Sequence, residues 1–248
     1  MILDPHAADA AIARRALPLL DLTDLSDSCS DQAVDLLCAK ARASRVAAVC
    51  VWPQHIARCA ELLTGTPVRI ATVINFPAGG TDIERAAEDT AEALDDGAHE
   101  IDLVLPYRTF LAGDADAASE MIEAVREMSG RAILKVILES GAMPDSARIA
   151  EASRLAIGAG ADFLKTSTGK SPVSATPEAA EAMLAAIRDS GRTVGFKVSG
   201  GLRTVADAAL YLDIADRIMG PGWVEAKTFR IGASSLHDAL TASLGART

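Results

Sequence analysis

Lysine is scarce in this chain, and its placement is chemically suggestive. Of 24 Lys and Arg residues only six are lysines: Lys40, Lys135, Lys165, Lys170, Lys197 and Lys227. Four of these fall in strand-like segments or just beyond one. An amine with the usual pKa of about 10.4 is protonated at neutral pH and cannot attack a carbonyl. Burial and a neighbouring cation both favour the neutral amine, and together they can bring its pKa toward ~7. Two lysines side by side in an apolar interior are therefore the material for a Schiff-base nucleophile, in which one attacks and the other depresses its pKa. Lys165 and Lys197 form such a pair if their elements are neighbours. Asp102 would then balance charge, position a water and shuttle protons. The residues alone leave open which lysine attacks.

The elements that must position these groups alternate along the whole chain. Short β-rich runs lie at 19–22, 47–52, 70–76, 100–105, 132–139, 163–168, 194–199 and 229–232. Helical patterns between them include 82–95, 116–128, 147–159 and 177–188. Thr176 before Pro177 has the form of an N-cap followed by proline at the first helical position. Gly97, Gly130, Gly160 and Gly191 punctuate helix ends. Eight strands in strict alternation with helices predict a closed parallel barrel rather than an open doubly wound sheet. The expectation is one α/β domain over residues 1–248, a single (β/α)8 TIM barrel with an N-terminal helical extension.

Strand parity then sorts the side chains, since successive residues face opposite sides of a sheet. Ile101, Leu103 and Leu105 oppose Glu100, Asp102 and Val104. Leu134, Val136 and Leu138 oppose Lys135 and Glu139, and Val194, Phe196 and Val198 oppose Lys197. The all-apolar faces must meet the helices, so Asp102, Lys135, Glu139 and Lys197 point into the barrel. Lys165 shares an inward face with Phe163 and Ser167. A barrel interior is normally filled with branched apolar groups. A lone buried charge costs several kcal/mol, so such charges pair or do chemistry. The bland alternative is a buried ion-pair network.

Three loops at the same barrel end suit an anion: Thr168-Gly169-Lys170, Gly200-Gly201, and Gly232 through Ser234 and Ser235. Glycines let backbone N–H groups approach a phosphate, helix N-termini add a favourable dipole, and barrels often build phosphate sites after strands seven and eight. No complete Walker motif accompanies them. Cys29, Cys38, Cys50 and Cys59 lack CxxC spacing, and His6, His55, His99 and His237 are scattered, so no metal signature is read. A net charge of −10 without a basic run argues against nucleic-acid binding, though not against a small anion. No apolar run approaches the roughly 20 residues of a membrane-spanning helix. The order of charges at the N-terminus is not that of a secretory leader, and a cytoplasmic location is expected.

The segment FLKTSTGK at 163–170 resembles the Schiff-base segment of the deoxyribose-phosphate aldolases. GFKVSGGLRT at 195–204 is similar to that family's second-lysine segment, EIDLVLP at 100–106 to its aspartate strand, and FRIGASS at 229–235 to its last phosphate loop. DLT at 21–23 and ATVINFP at 71–77 also fit, so the likeness runs from about residue 19 to 244. The resemblance implies reversible cleavage of 2-deoxy-D-ribose 5-phosphate to glyceraldehyde 3-phosphate and acetaldehyde, with no metal and no organic cofactor. It assigns Lys165 to the iminium, Lys197 to lowering its pKa and Asp102 to proton transfer with a water. Lys170, Gly201, Ser234 and Ser235 would bind phosphate, with Gly169, Gly200 and Gly232 shaping the loops. Asp21 and Lys135 would join the supporting polar network, and a homodimer is implied. Cys50 sits where some relatives carry a cysteine near substrate, but it reads equally as a small core residue.

Two departures bear on detail. Val198-Ser199 stands where relatives commonly have Pro-Ala, which puts fine substrate preference in question. No tyrosine follows Tyr211, so proton exchange at the acetaldehyde-derived carbon is expected to rely on water and Asp102. A Schiff-base aldolase for another sugar, or a non-catalytic sugar-phosphate-binding barrel, are the alternatives.

Overall fold

The computed structural model describes residues 5–220 and 222–245. Eight parallel strands close on themselves in sequence order: β1 (Leu20–Asp24), β2 (Ala48–Val51), β3 (Arg69–Ile74), β4 (Glu100–Val104), β5 (Ile133–Ile137), β6 (Phe163–Lys165), β7 (Gly195–Ser199) and β8 (Phe229–Ala233). All eight expected strands are present. The sixth is shorter than its sequence pattern, ending at Lys165, because Thr166 and Ser167 turn into the loop above the barrel. The helices α2 (Asp31–Ser44), α3 (Ile56–Leu62), α4 (Ile83–Asp95), α5 (Tyr107–Leu111), α6 (Ala115–Ser129), α7 (Ser146–Gly158), α8 (Pro177–Ser190), α9 (Val205–Met219) and α10 (Leu236–Gly245) wrap it. The fold is a (β/α)8 TIM barrel, and α1 (Pro5–Ala16) precedes its first strand and packs on α9 and α10. Residues 246–248, on which the reading of the C-terminal end partly falls, lie outside the described residues. No helix among the described residues is long and apolar enough to cross a membrane.

Local sequence explains where the helices start and stop. Thr176 caps α8 by accepting from the Ala179 N–H, with Pro177 inside the first turn. Thr204 and Asp207 form a reciprocal capping box on α9. Gly97, Gly130, Gly160 and Gly191 all take positive φ.

Parity places the outward residues Ile101, Leu103, Leu134, Val136, Phe196 and Val198 in the main core, fully buried between strands and helices. The interior is divided differently. Toward β2 and β3 it is apolar, with Cys50, Ala71 and Val73 clustered against Leu25, Trp52 and Phe76. Around β4 to β8 and β1 it is charged. Beneath the charges Phe163 fills the barrel, and it does so because its cross-strand partner is Gly195. A Cβ at Gly195 would sit 2.3 Å from the Phe163 ring. Gly195→Ala is therefore expected to destabilise the fold by about 1–3 kcal/mol through overpacking, measured as a lowered urea midpoint with an unchanged m-value.

Candidate active site

Strand register brings together residues far apart in the chain. Lys165 pairs directly with Lys197, Asp102 with Lys135, Ile137 with Lys165, and Lys197 with Arg230. Because these positions share one parity, their side chains converge inside the barrel. Asp102 is the meeting point. Its Oδ1 accepts from Lys135 Nζ at 2.7 Å, and its Oδ2 accepts from both Lys165 Nζ at 2.8 Å and Lys197 Nζ at 2.7 Å.

A second tier lies behind this. Asp21 pairs with Lys197 at 2.6 Å and with Arg230 at 2.7 Å, and Lys135 pairs with Glu100 at 2.7 Å. Arg230 donates to both oxygens of Glu100, at 3.0 and 3.2 Å. Asp21 and Lys135, expected as supporting groups, are thus in direct contact with the central residues.

Arg230 and Glu100 are as buried as the rest, and neither had been singled out from the sequence. Both were within reach of the same parity argument. Glu100 alternates with Ile101, and Arg230 sits inward between Phe229 and Ile231. Glu139 is buried as expected, but it accepts from Thr168 Oγ1 at 2.6 Å and touches none of the amines. Thr168 in turn accepts from the Lys170 N–H, so Glu139 braces the loop carrying Gly169 and Lys170.

The electrostatics separate the three lysines. Burial is the largest influence on each and favours the neutral amine. For Lys197 the carboxylates of Asp102 and Asp21 outweigh burial, and its pKa is raised. Asp102 and Glu100 do the same for Lys135. Lys165 has Asp102 as its one carboxylate partner and Lys197 beside it, and its pKa is lowered. Burial pushes the Asp102 carboxyl up, but Lys135, Lys165 and Lys197 together hold it well below the usual carboxylate range. Burial raises the Cys50 thiol, which faces the same cluster and stays protonated.

Above the amines opens a cleft of about 530 Å³. Lys165 is 3% exposed and reaches it, whereas Lys135, Lys197 and Asp102 are wholly covered. The cleft is lined by Gly169, Lys170, Gly200, Gly201, Gly232, Ser234 and Ser235, so every loop residue expected from the sequence is present. Arg203 and Thr23 line it as well. Gly232 permits a close approach below, since a Cβ there would stand 2.9 Å from the Lys197 side chain. Lys170 reaches over the Trp52 ring and pairs loosely with Asp27 at 3.5 Å. Ser199, the departure noted above, ties β7 to the residues after Lys165. Its hydroxyl donates to the Ser167 carbonyl, and its backbone exchanges hydrogen bonds with Thr166 Oγ1. Among the described residues no group of three or more His, Cys, Asp or Glu side chains is arranged to hold a metal ion.

An amine whose pKa burial pushes down, beside a lysine whose pKa carboxylates push up, opens on a cleft lined by glycines and hydroxyls, an arrangement suited to carbonyl chemistry. Comparison with known proteins points the same way. A deoxyribose-phosphate aldolase of Agrobacterium fabrum is 50% identical over 230 residues, covering 91% of this chain and 89% of that protein. A crystal structure from Coccidioides immitis, named as a deoxyribose-phosphate aldolase, superposes with a TM-score of 0.82 at 30% identity, covering 94% of this chain and 86% of that one. The tetrameric deoxyribose phosphate aldolase of Aeropyrum pernix shares the fold, with a TM-score of 0.78 at 24% identity over 95% of this chain and 92% of its own. The sequence model of the DeoC/LacD family aldolases matches residues 15–241, and the chain belongs to that family.

Proposed function

We propose that this chain, as one barrel domain, reversibly cleaves 2-deoxy-D-ribose 5-phosphate to D-glyceraldehyde 3-phosphate and acetaldehyde through a Schiff base on Lys165. The observation that carries this reading is the sharing of Asp102 Oδ2 by Lys165 and Lys197 beneath the cleft, with the proton favoured on Lys197. The neutral Lys165 amine attacks the aldehyde carbon, and loss of water leaves a protonated iminium. Breaking the bond between C2 and C3 sends its electron pair into that iminium, while the C3 hydroxyl loses its proton and becomes the product aldehyde. Protonation of the resulting enamine and hydrolysis release acetaldehyde and regenerate Lys165. No step in this sequence calls for a metal or organic cofactor.

Each neighbour has a part that its surroundings support. Lys197 supplies the nearby positive charge that disfavours a second ammonium. Asp102, with a pKa far below neutrality, is a weak base. It therefore acts by holding charge and by passing protons through the single oxygen that touches both amines, with a water completing the relay. Lys170, Gly201, Ser234 and Ser235 hold the phosphate, and Gly169, Gly200 and Gly232 shape the loops around it. A homodimer and a cytoplasmic setting belong to the same proposal. The tetrameric structure of the Aeropyrum pernix protein is in keeping with self-assembly, and the four free cysteines suit a reducing compartment.

Incubation with deoxyribose 5-phosphate or acetaldehyde, borohydride reduction and peptide mapping is expected to find an ethyl group on Lys165. An adduct on Lys197 would exchange the two lysine roles, and none with either compound would favour the sugar-phosphate-binding barrel. Lys170→Met is expected to raise KM for deoxyribose 5-phosphate about 10- to 100-fold, the worth of a hydrogen bond to a charged group. It should leave cleavage of unphosphorylated deoxyribose nearly unchanged. Lys165→Met is expected to abolish the adduct yet stabilise the fold by on the order of 1 kcal/mol near pH 7. The sign follows from the lowered pKa: unfolding takes up a proton on Lys165 between its folded pKa and about 10.4, so the native amine lowers stability most at lower pH. Urea titrations should show the gain shrinking as the pH rises toward 10.

A further inference from the structure

The buried cluster holds an odd number of charges, and that oddness has a source remote from the cleft. Its carboxylates are Asp21, Glu100 and Asp102, and its bases are Lys135, Lys165, Lys197 and Arg230. All seven are buried, and of them Lys165 reaches the cleft. Fully ionised, the cluster carries one excess positive charge, which a low-dielectric interior disfavours. Arg230 cannot release a proton under ordinary conditions, so the adjustment falls on a lysine. Lys135 contacts all three carboxylates and Lys197 contacts Asp21 and Asp102, whereas Lys165 contacts Asp102 alone, through an oxygen it shares with Lys197. Lys165 is the base least held by negative charge.

We propose that Arg230 is a positioning residue for the amine nucleophile: by occupying Asp21 and Glu100 it joins Lys135 and Lys197 as the third cation answering three carboxylates, and leaves Lys165 as the amine without a proton. It acts through contacts rather than by touching the cleft. Arg230 holds one oxygen of Asp21 while Lys197 holds the other, and it shares Glu100 with Lys135. Without it, Asp21 and Glu100 would draw Lys197 and Lys135 more strongly, and Asp102 would be freer to stabilise an ammonium on Lys165.

The other titratable groups around Lys165 do not supply this balance. Cys50 on β2 stays a neutral thiol. Glu139, past the end of β5, engages Thr168. Asp24, Lys170 and Arg203 stand in the open cleft, where solvent screens them. Arg69 approaches Glu100 only to 3.8 Å and is half exposed.

This inference rests on the Schiff-base reading and deepens it. The test is the pH dependence of borohydride-trapped adduct formation with acetaldehyde, in the full-length chain. In Arg230→Met the midpoint for trapping is expected to rise by at least one pH unit, slowing trapping at neutral pH about ten-fold or more. Glu100→Gln should move the midpoint the opposite way. The double variant restores the original charge count and should return the midpoint toward that of the unaltered protein, as should Arg230→Lys. A merely structural role for Arg230 predicts no such reciprocal shifts.

A folded Arg230→Met chain with an unshifted midpoint overturns the inference. If that variant does not fold, Glu100→Gln and the double variant decide it. A lowered midpoint in the first and its return in the second support the inference, and an unchanged midpoint in Glu100→Gln overturns it. An unaltered chain that traps nothing removes the Schiff-base reading itself, and this inference with it.

Discussion

One carboxylate, Asp102, accepts hydrogen bonds from three lysine side chains while fully enclosed by protein. Such an arrangement is stable only if nearly every charge within reach is answered. Removing one partner from a buried ion pair leaves an uncompensated charge, which typically costs about 3–5 kcal/mol. The second tier of Asp21, Glu100 and Arg230 answers the first, so the barrel interior behaves as one electrostatic unit. Its strands are constrained accordingly, because a slip of one residue in any of them would turn a charged side chain into the helical layer.

The barrel reconciles this demand with an otherwise ordinary core. Outward side chains of the strands are apolar and pack under the helices, which provides the burial that holds the fold. The inward side chains are then partly released from that task and are divided between a charged half and a small apolar half at Cys50, Ala71 and Val73. The apolar half, which includes the Cys50 thiol, borders the amines. The charged half is floored by Phe163 against Gly195, which keeps packing dense beneath the ion pairs.

The cleft adds the complementary requirement of access. Lys165 is the base of the cluster that reaches the opening, and the loops around it are rich in glycine and hydroxyls. Those loops are braced from inside the barrel rather than from solvent: Glu139 holds Thr168, Thr168 holds the Lys170 backbone, and Ser199 holds the Ser167 carbonyl. A densely paired interior thus supports a rim of glycine-rich loops and hydroxyls around the cleft.

Much of this architecture was legible in the sequence, because the signals involved are local. Alternation of strand and helix patterns indicated eight βα units, and period-two parity turned Asp102, Lys135, Lys165 and Lys197 inward. Turn chemistry picked out the loops that line the cleft. The same parity would have reached Arg230 and Glu100, but nothing local says that an inward arginine will lie against an inward aspartate 209 residues away. Closure and register decided that. They also decided the protonation of the amines, which depends on distances among groups remote in the chain, such as Lys197 and Asp102, 95 residues apart. Residue types and strand parity named two candidate lysines without ranking them, and family resemblance favoured Lys165. The folded barrel gives Lys197 two carboxylates and Lys165 one, a difference no local signal carries, because electrostatic energies in a low-dielectric interior depend on where charges stand in space and not on their order in the chain.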